Sequence, residues 1–272
     1  MTHSPSGIRT LLAEHGLVAS RALGQNFLAD GNTARAIVRD AAVGPGDRVV
    51  EVGAGLGSLT LALVEAGCEV TAIEVDRRLA PVLRSLVEPA ATVVEADALR
   101  LDWPALLGPA DPARPWALVA NLPYNIATPL VLDLLAGVPA LDRLVVLVQL
   151  EVAQRLAATP GTKAYGIPSV KRAWWADAAV LRKVAPSVFM PRPRVDSAVV
   201  ALRRHPPAGT EDERRAVFAL VEAGFGQRRK MLRRSLAGRA APEDLEAAGI
   251  DPAARAEELD LAAWSRLAAR LR

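Results

Sequence analysis

The chain has 272 residues, 51% of them hydrophobic and 23% charged, with a formal net charge of +3. That balance excludes a disordered chain and leaves room for one large domain and a small one. A single cysteine, Cys68, excludes an internal disulfide and a cysteine-based zinc site.

The opening residues lack a charged segment followed by an apolar one, and the longest apolar runs, such as Leu144 to Val148, are too short to span a bilayer. A cytoplasmic protein is expected. The three histidines, His3, His15 and His205, fall in sequence expected to be flexible or linking, so neither a metal cluster nor a Ser-His-Asp triad is expected. After an N-terminal helical arm of about 40 residues, short β-rich runs alternate with helical ones. Strands are predicted at Arg48–Val52, Glu69–Glu74, Thr92–Glu95, Trp116–Ala120 and Arg143–Gln149, with helical segments such as Leu59–Glu65, Leu79–Leu86 and Pro129–Leu135 between them. Such alternation predicts an α/β fold with an open, mostly parallel sheet covered on both faces. Two further strands, Ala179–Val184 and Ser197–Leu202, have no helix between them and predict an antiparallel hairpin with a long, proline-stiffened loop, making seven strands.

At "RRHPPAGTEDE" the character changes: prolines and a glycine break the chain, and Thr210 with Glu213 has the spacing of a capping box. The remainder reads as short helices without strand signals. The domain boundary is placed near His205, giving an α/β domain over 1–205 and a small all-α domain over 206–272. From Arg203 to Arg239 ten Lys and Arg stand against four Asp and Glu, an excess of six, which leaves the rest of the chain at −3. A basic C-terminal piece on a mildly acidic body suggests a polyanionic partner; a solvated helix face is the alternative. Gln227–Leu236 is expected to form one helix that packs Met231, Leu232, Ser235 and Leu236 and turns Arg228, Arg229, Lys230, Arg233 and Arg234 toward phosphates. Trp174, Trp175 and Trp264 are expected in core or interface positions rather than as base-stacking residues, and Cys68 as a small buried hydrophobe.

The run "VVEVGAGLGSLTLAL" is a strand, a glycine-rich turn at Gly53, Gly55 and Gly57, and a helix. Glycines there let the backbone bend and approach a ligand, and a helix N-terminus offers free N–H groups. Glu74 closes the next strand 21 positions past Gly53, a spacing that suits a carboxylate accepting from ribose hydroxyls. The spacing is G-x-G-x-G rather than the dinucleotide G-x-G-x-x-G, and the turn is preceded by Glu51. The next strand brings Asp97 to the same edge, where it could hold an adenine amino group. Together these residues resemble the S-adenosylmethionine fold of class I, Rossmann-like methyltransferases. An acidic cleft suits a sulfonium better than a pyrophosphate, which places a nicotinamide oxidoreductase second.

The fourth strand delivers Asn121-Leu122-Pro123-Tyr124 to that edge. An adenine amine is a poor nucleophile because its lone pair is delocalised into the ring. Two acceptors aimed at its hydrogens, the Asn121 side-chain oxygen and the Leu122 carbonyl, could draw the nitrogen toward tetrahedral geometry. Pro123 would fix the turn, and Tyr124 would offer a face on which the extruded base stacks. Catalysis would then rest on positioning and electrostatics, without a strong general base.

The segments "LGQNFL", "VEVGAGLGSLT", "IEVD", "EADAL", "NLPYNIATPL", "KAYGIPSV", "PSVFMPRPRVDSAVV" and "FGQRRKMLRRSL" occur in the order found in the KsgA/RsmA family of rRNA adenine dimethyltransferases, and the chain resembles that family, in its actinobacterial form, over nearly its whole length. The resemblance implies transfer of four methyl groups from S-adenosylmethionine, two to N6 of each of two adjacent adenosines in the hairpin loop near the 3′ end of 16S rRNA. The partner implied is the small ribosomal subunit late in assembly, with the enzyme monomeric. Carried over by residue, Asn26 and Leu28 would touch the cofactor from the N-terminal arm, Gly53 and Gly55 would lie under it, Glu74 would take the ribose, Asp97 the adenine amine, and Asn121 would face cofactor and target. Phe189 would close on the target adenine opposite Tyr124, or else anchor its loop in the core. Ala54, Leu150 and Pro168 depart from the commoner family pattern, and Leu150 would remove one phosphate contact. Two rivals remain: a methyltransferase of large-subunit (23S) rRNA of the macrolide-resistance type, and an RNA-binding assembly factor whose catalysis is dispensable.

Overall fold

The computed structural model describes residues 3–272. The helices are α1 (Pro5–Glu14), α2 (Gly31–Ala41), α3 (Ser58–Glu65), α4 (Leu79–Val87), α5 (Trp103–Leu107), α6 (Ala127–Gly137), α7 (Leu150–Ala157), α8 (Ile167–Ala173), α9 (Glu211–Gly226), α10 (Leu232–Ser235), α11 (Pro242–Ala247) and α12 (Leu261–Arg270). The strands are β1 (Phe27–Leu28), β2 (Arg48–Val52), β3 (Glu69–Glu74), β4 (Ala91–Glu95), β5 (Trp116–Asn121), β6 (Leu141–Gln149), β7 (Ala176–Val184), β8 (Phe189–Met190) and β9 (Ser197–Arg204).

Seven strands form one sheet in the order β4-β3-β2-β5-β6-β9-β7. The first five run parallel, and β9 pairs antiparallel with β6. Val49 and Val50 of β2, Ala117 to Ala120 of β5 and Leu144 to Val148 of β6 are buried, as strands covered on both faces must be. The two predicted C-terminal strands are neighbours, as expected of a hairpin, with β9 lying inside and β7 at the edge. Their connecting loop contains β8, which pairs with β1 of the N-terminal arm through Phe27↔Met190 and Leu28↔Phe189. The strand order reverses between β3-β2 and β2-β5, so a crevice opens at the carboxyl ends of β2 and β5, where sheets of this kind bind ligands.

Local chemistry starts the helices where the sheet needs them. Asp30 accepts from the Thr33 N–H at 2.6 Å to cap α2, and Thr210 and Glu213 make the reciprocal capping box that opens α9. Among the described residues no helix is long and apolar enough to cross a membrane. His3 is not free linker sequence: its ring bonds the Leu56 carbonyl at 2.8 Å.

The chain divides into two units, one comprising residues up to Ala153 with Ala178–Arg204, the other Gln154–Asp177 with His205–Arg272. The segment 154–177, expected within the first domain, therefore belongs to the helical unit. Its aromatic and basic side chains explain this. The rings of Trp174 and Trp175 meet Phe218 of α9 edge-on at 5.9 and 5.6 Å, and Lys171 pairs with Glu222 at 2.6 Å. Arg172, buried, donates to the carbonyls of Leu156 and Ala176 at 2.9 and 2.7 Å. All three tryptophans expected in the core are buried, as is Cys68.

The basic stretch is not the single helix expected over Gln227–Leu236. α9 ends at Gly226, Gln227 leaves helical geometry at φ −126°, and Met231 is extended and bridges Arg255; only Leu232–Ser235 is helical again. The Leu232 and Arg233 N–H groups bond the carbonyls of Ala254 and Pro252, so backbone pairing within this unit replaces the continuous helix.

Candidate cofactor and substrate cleft

The crevice at the strand-order reversal is closed by three pieces of chain brought together by glycine. Gly53 has φ +72°, and a Cβ there would meet Pro123 Cδ at 3.1 Å; Gly55 has φ +59°, and its Cβ would meet the Phe27 ring at 3.0 Å. Both positions exclude side chains for two reasons at once, backbone strain and close approach. The turn after β2, the Asn121–Tyr124 turn and the N-terminal arm thus meet around one cleft. Its lining includes Asn26, Leu28, Gly53, Gly55, Glu74 and Asn121, the six expected cofactor residues other than Asp97.

The two carboxylates of the cleft are buried. Glu51 accepts from Thr60 Oγ1 at 2.6 Å, and burial pushes its pKa up to about 8, against the Thr60 bond and with added repulsion from Glu74. Glu74 accepts from the Gly55 N–H at 2.7 Å and the Asp76 N–H at 2.9 Å; burial raises its pKa while these bonds pull it down. Each Glu74 oxygen keeps acceptor capacity for a ligand hydroxyl.

The Asn121 Nδ2 donates to the Asn26 carbonyl at 3.0 Å, which assigns the amide's orientation, and leaves Oδ1 buried with no partner within the protein. The Asn26 side chain turns to the Gly24 carbonyl at 3.1 Å, so this residue serves the cleft through its backbone. Leu122 is buried and its N–H bonds the Leu147 carbonyl, while the Ile126 N–H closes the turn on the Pro123 carbonyl. Tyr124 is half-buried at the cleft, with its hydroxyl 2.7 Å from Ser197 Oγ.

Two expected residues depart from this arrangement. Phe189 is 4% exposed, sits in the core cluster with Leu28, Ala34 and Ile37 and is not among the residues lining the cleft. Pairing of β8 with β1 turns its side chain inward. Asp97 does not join the lining: its Oδ1 accepts from the Leu99 N–H at 3.0 Å, Arg100 lies 3.9 Å from Oδ2, and the side chain is 43% exposed. Of the five expected phosphate contacts, Arg228 is held by Glu257 at 2.8 Å and by the Lys163 carbonyl at 2.8 Å. The side chains of Arg229, Lys230, Arg233 and Arg234 are exposed and bond no other group among the described residues.

Sequence reasoning missed several residues. Gln25 Nε2 donates to Asp76 Oδ2 at 3.0 Å while its Oε1 accepts from the Ser20 N–H at 2.7 Å, tying the arm to the end of β3. Asp76 is in turn gripped by Arg78, which with the other bonds lowers its pKa to about 2. Ser58, at the start of α3, lines the cleft with its Oγ buried and unpartnered. Both Gln25 and Asp76 lie inside the quoted motifs "LGQNFL" and "IEVD", the one signal that could have singled them out.

The residues fit S-adenosylmethionine. The cleft presents two buried oxygens without partners, Asn121 Oδ1 and Ser58 Oγ, beside two carboxylates and a turn that admits no Cβ. Among the described residues its lining is acidic, with Glu51 and Glu74 and no Lys or Arg, which suits a sulfonium charge. A sheet of this order with such a cleft over its glycine turn defines a class I methyltransferase that uses S-adenosylmethionine. Comparison with known proteins narrows the class: the family described as "Ribosomal RNA adenine dimethylase" matches residues 17–272, and the chain belongs to that family. It is 50% identical to "Ribosomal RNA small subunit methyltransferase A" of Thermobifida fusca over 97% of this chain and 94% of that one, and 49% identical to the protein so named from Leifsonia xyli over 98% and 97%. The crystal structure of the 23S rRNA methyltransferase ErmE is similar with a TM-score of 0.69 at 30% identity, covering 90% of this chain and 99% of that one. A dimethyladenosine transferase from Plasmodium falciparum shares the fold with a TM-score of 0.71 at 22% identity, covering 89% and 95%.

Proposed function

We infer that the protein transfers methyl groups from S-adenosylmethionine to N6 of two adjacent adenosines in the 3′-terminal hairpin loop of 16S rRNA, giving dimethyladenosines, and acts late in small-subunit biogenesis. The observation that carries this reading is Asn121 Oδ1, an acceptor fixed in orientation, buried at the cleft and without a partner. A buried acceptor left unsatisfied is costly, so its retention at a binding cleft supports a donor supplied by substrate. An adenine N6–H is such a donor.

Bound cofactor supplies an electrophilic methyl group on sulfonium. The protein's contribution is to hold the acceptor. Asn121 Oδ1 and the Leu122 carbonyl take the N6 hydrogens, which localises the nitrogen lone pair on the face that is to react. The buried Leu122 side chain and the Pro123 turn keep both acceptors in place. Tyr124 supplies the stacking face for the extruded base. No residue need act as a strong base, because N6 becomes more acidic as it gains its substituent.

Methyl mapping on isolated ribosomal subunits tests the reading. Dimethyladenosines are expected at two adjacent positions of the small-subunit 3′ hairpin, and an Asn121→Ala variant is expected to lose at least about a hundredfold in rate while still binding S-adenosylhomocysteine. A second reading, a methyltransferase of 23S rRNA, would be established by methylation confined to the large subunit, but the likeness to a solved 23S rRNA enzyme at 30% identity does not favour it. The greater identity to small-subunit relatives supports the first.

A further inference from the structure

Tyr124 stands on a turn, outside the ladder of any strand, and nothing in its own backbone determines where its ring faces. Its hydroxyl is tied at 2.7 Å to Ser197 Oγ, 73 residues away in sequence. Ser197 is fully buried, opens β9 and pairs with Gln149 at the end of β6. It is followed by Ala198, Val199 and Val200, all buried and apolar, so a hydroxyl is out of character at this position unless it has a partner. Tyr124 is that partner. The bond reaches from the turn after β5 past the end of β6 to the next strand of the sheet. Holding a tyrosine by its far end restrains both torsions that aim the ring.

We propose that Ser197 is a positioning residue for the methyl acceptor: through its bond to the Tyr124 hydroxyl it holds the ring at the angle on which the target base stacks, in the cleft it shares with Asn121. This rests on the reading of Tyr124 as the base platform. The ring itself needs no hydroxyl to stack, so the hydroxyl acts only through Ser197. Misplacement of a bound reactant by about 1 Å costs up to about a hundredfold in rate, and a freed ring misplaces the base while leaving the cofactor side of the cleft untouched.

A double-mutant cycle in the full-length protein tests this, with single-turnover methylation of isolated small subunits and calorimetric S-adenosylhomocysteine binding as readouts. Ser197→Ala and Tyr124→Phe are each expected to lower kcat about tenfold with cofactor-product affinity unchanged, and the double variant to fall no further than either single one. Multiplying losses, or wild-type kcat in Ser197→Ala, would overturn the proposal. Should Ser197→Ala fail to fold, Tyr124→Phe carries the test alone, since wild-type kcat in that variant also overturns it. Tyr124→Ala separates the two levels of argument. If it is inactive while Tyr124→Phe and Ser197→Ala keep wild-type kcat, the platform stands and the positioning role falls. If it methylates normally, the platform reading falls and the positioning role with it.

Discussion

At the scale of single residues, the cleft is dominated by groups held against their preference for water. Glu51 is the clearest case, with 2% of its surface exposed and a pKa pushed up to about 8. Its carboxyl in the unfolded chain titrates near 4.5. Between about 4.5 and about 8 the folded protein therefore binds more protons than the unfolded chain, and its stability falls as pH rises through that window. Glu51→Gln keeps the shape and removes the titration. Thermal melts of the apoprotein should show wild type losing stability relative to this variant from pH 5 to pH 8; parallel curves would mean that Glu51 does not resist ionisation. Asn121 is constrained in another way: the Asn26 carbonyl holds its Nδ2, so the orientation of the amide is set before any ligand binds.

At the scale of elements, the segment from Ser20 to Leu28 acts as a strap across the cleft. Gln25 fastens it to Asp76 at the end of β3, β1 fastens it to β8, and its Asn26 carbonyl orients Asn121. The Asp76 carboxylate stays ionised well below neutral pH because Arg78 holds it, so the Gln25 bond is charge-assisted at any working pH. A hydrogen bond to a charged group contributes about 1.5–3 kcal/mol. Gln25→Ala should therefore loosen the strap, weakening S-adenosylhomocysteine binding by about tenfold and also lowering the melting temperature, since the bond is already made without cofactor. Unaltered affinity by calorimetry would show that the strap stays in place without it. The strap also accounts for Phe189. Where β8 pairs with β1, the Phe189 ring packs in the core beside Leu28, and Phe27 and Tyr124 are the aromatics that line the cleft.

At the scale of the molecule, catalytic chemistry and charge are divided between two units. The cleft belongs wholly to the α/β unit, and the basic stretch from Arg229 to Arg234 to the helical one. With Arg228 spent on Glu257 and the Lys163 carbonyl, Arg229 and Lys230 are one of two adjacent pairs, with Arg233 and Arg234, whose charge is available to a phosphate backbone. Arg229→Ala with Lys230→Ala should weaken binding to small subunits and flatten the dependence of log affinity on log salt by about 1.5, two contacts at roughly 0.7–0.9 each. Arg228→Ala should instead lower the stability of the helical unit. An unchanged salt slope in the Arg229 and Lys230 double variant would assign these side chains to solvent.

The strands, the glycine turn, Glu74 at its strand end and the Thr210–Glu213 cap were legible in the sequence because each is set by neighbours within a few positions: period, turn chemistry and capping geometry. The order Gly53, Glu74, Asn121 was legible for the same reason, since each follows a strand of one parallel sheet. Contacts between distant segments decided the rest. Segment 154–177 joins the helical unit because its tryptophans find Phe218, and the basic helix breaks because Leu232 and Arg233 find backbone partners past residue 250. Asp97 leaves the cleft for a local turn, Gln25 meets Asp76 across 51 residues, and Tyr124 meets Ser197 across 73. By itself the sequence determined that Gly53, Gly55, Glu74 and Asn121 stand at the carboxyl edge of the sheet. Their directions depend on side-chain bonds between segments that only folding brings within 3 Å, and these the tertiary structure decided.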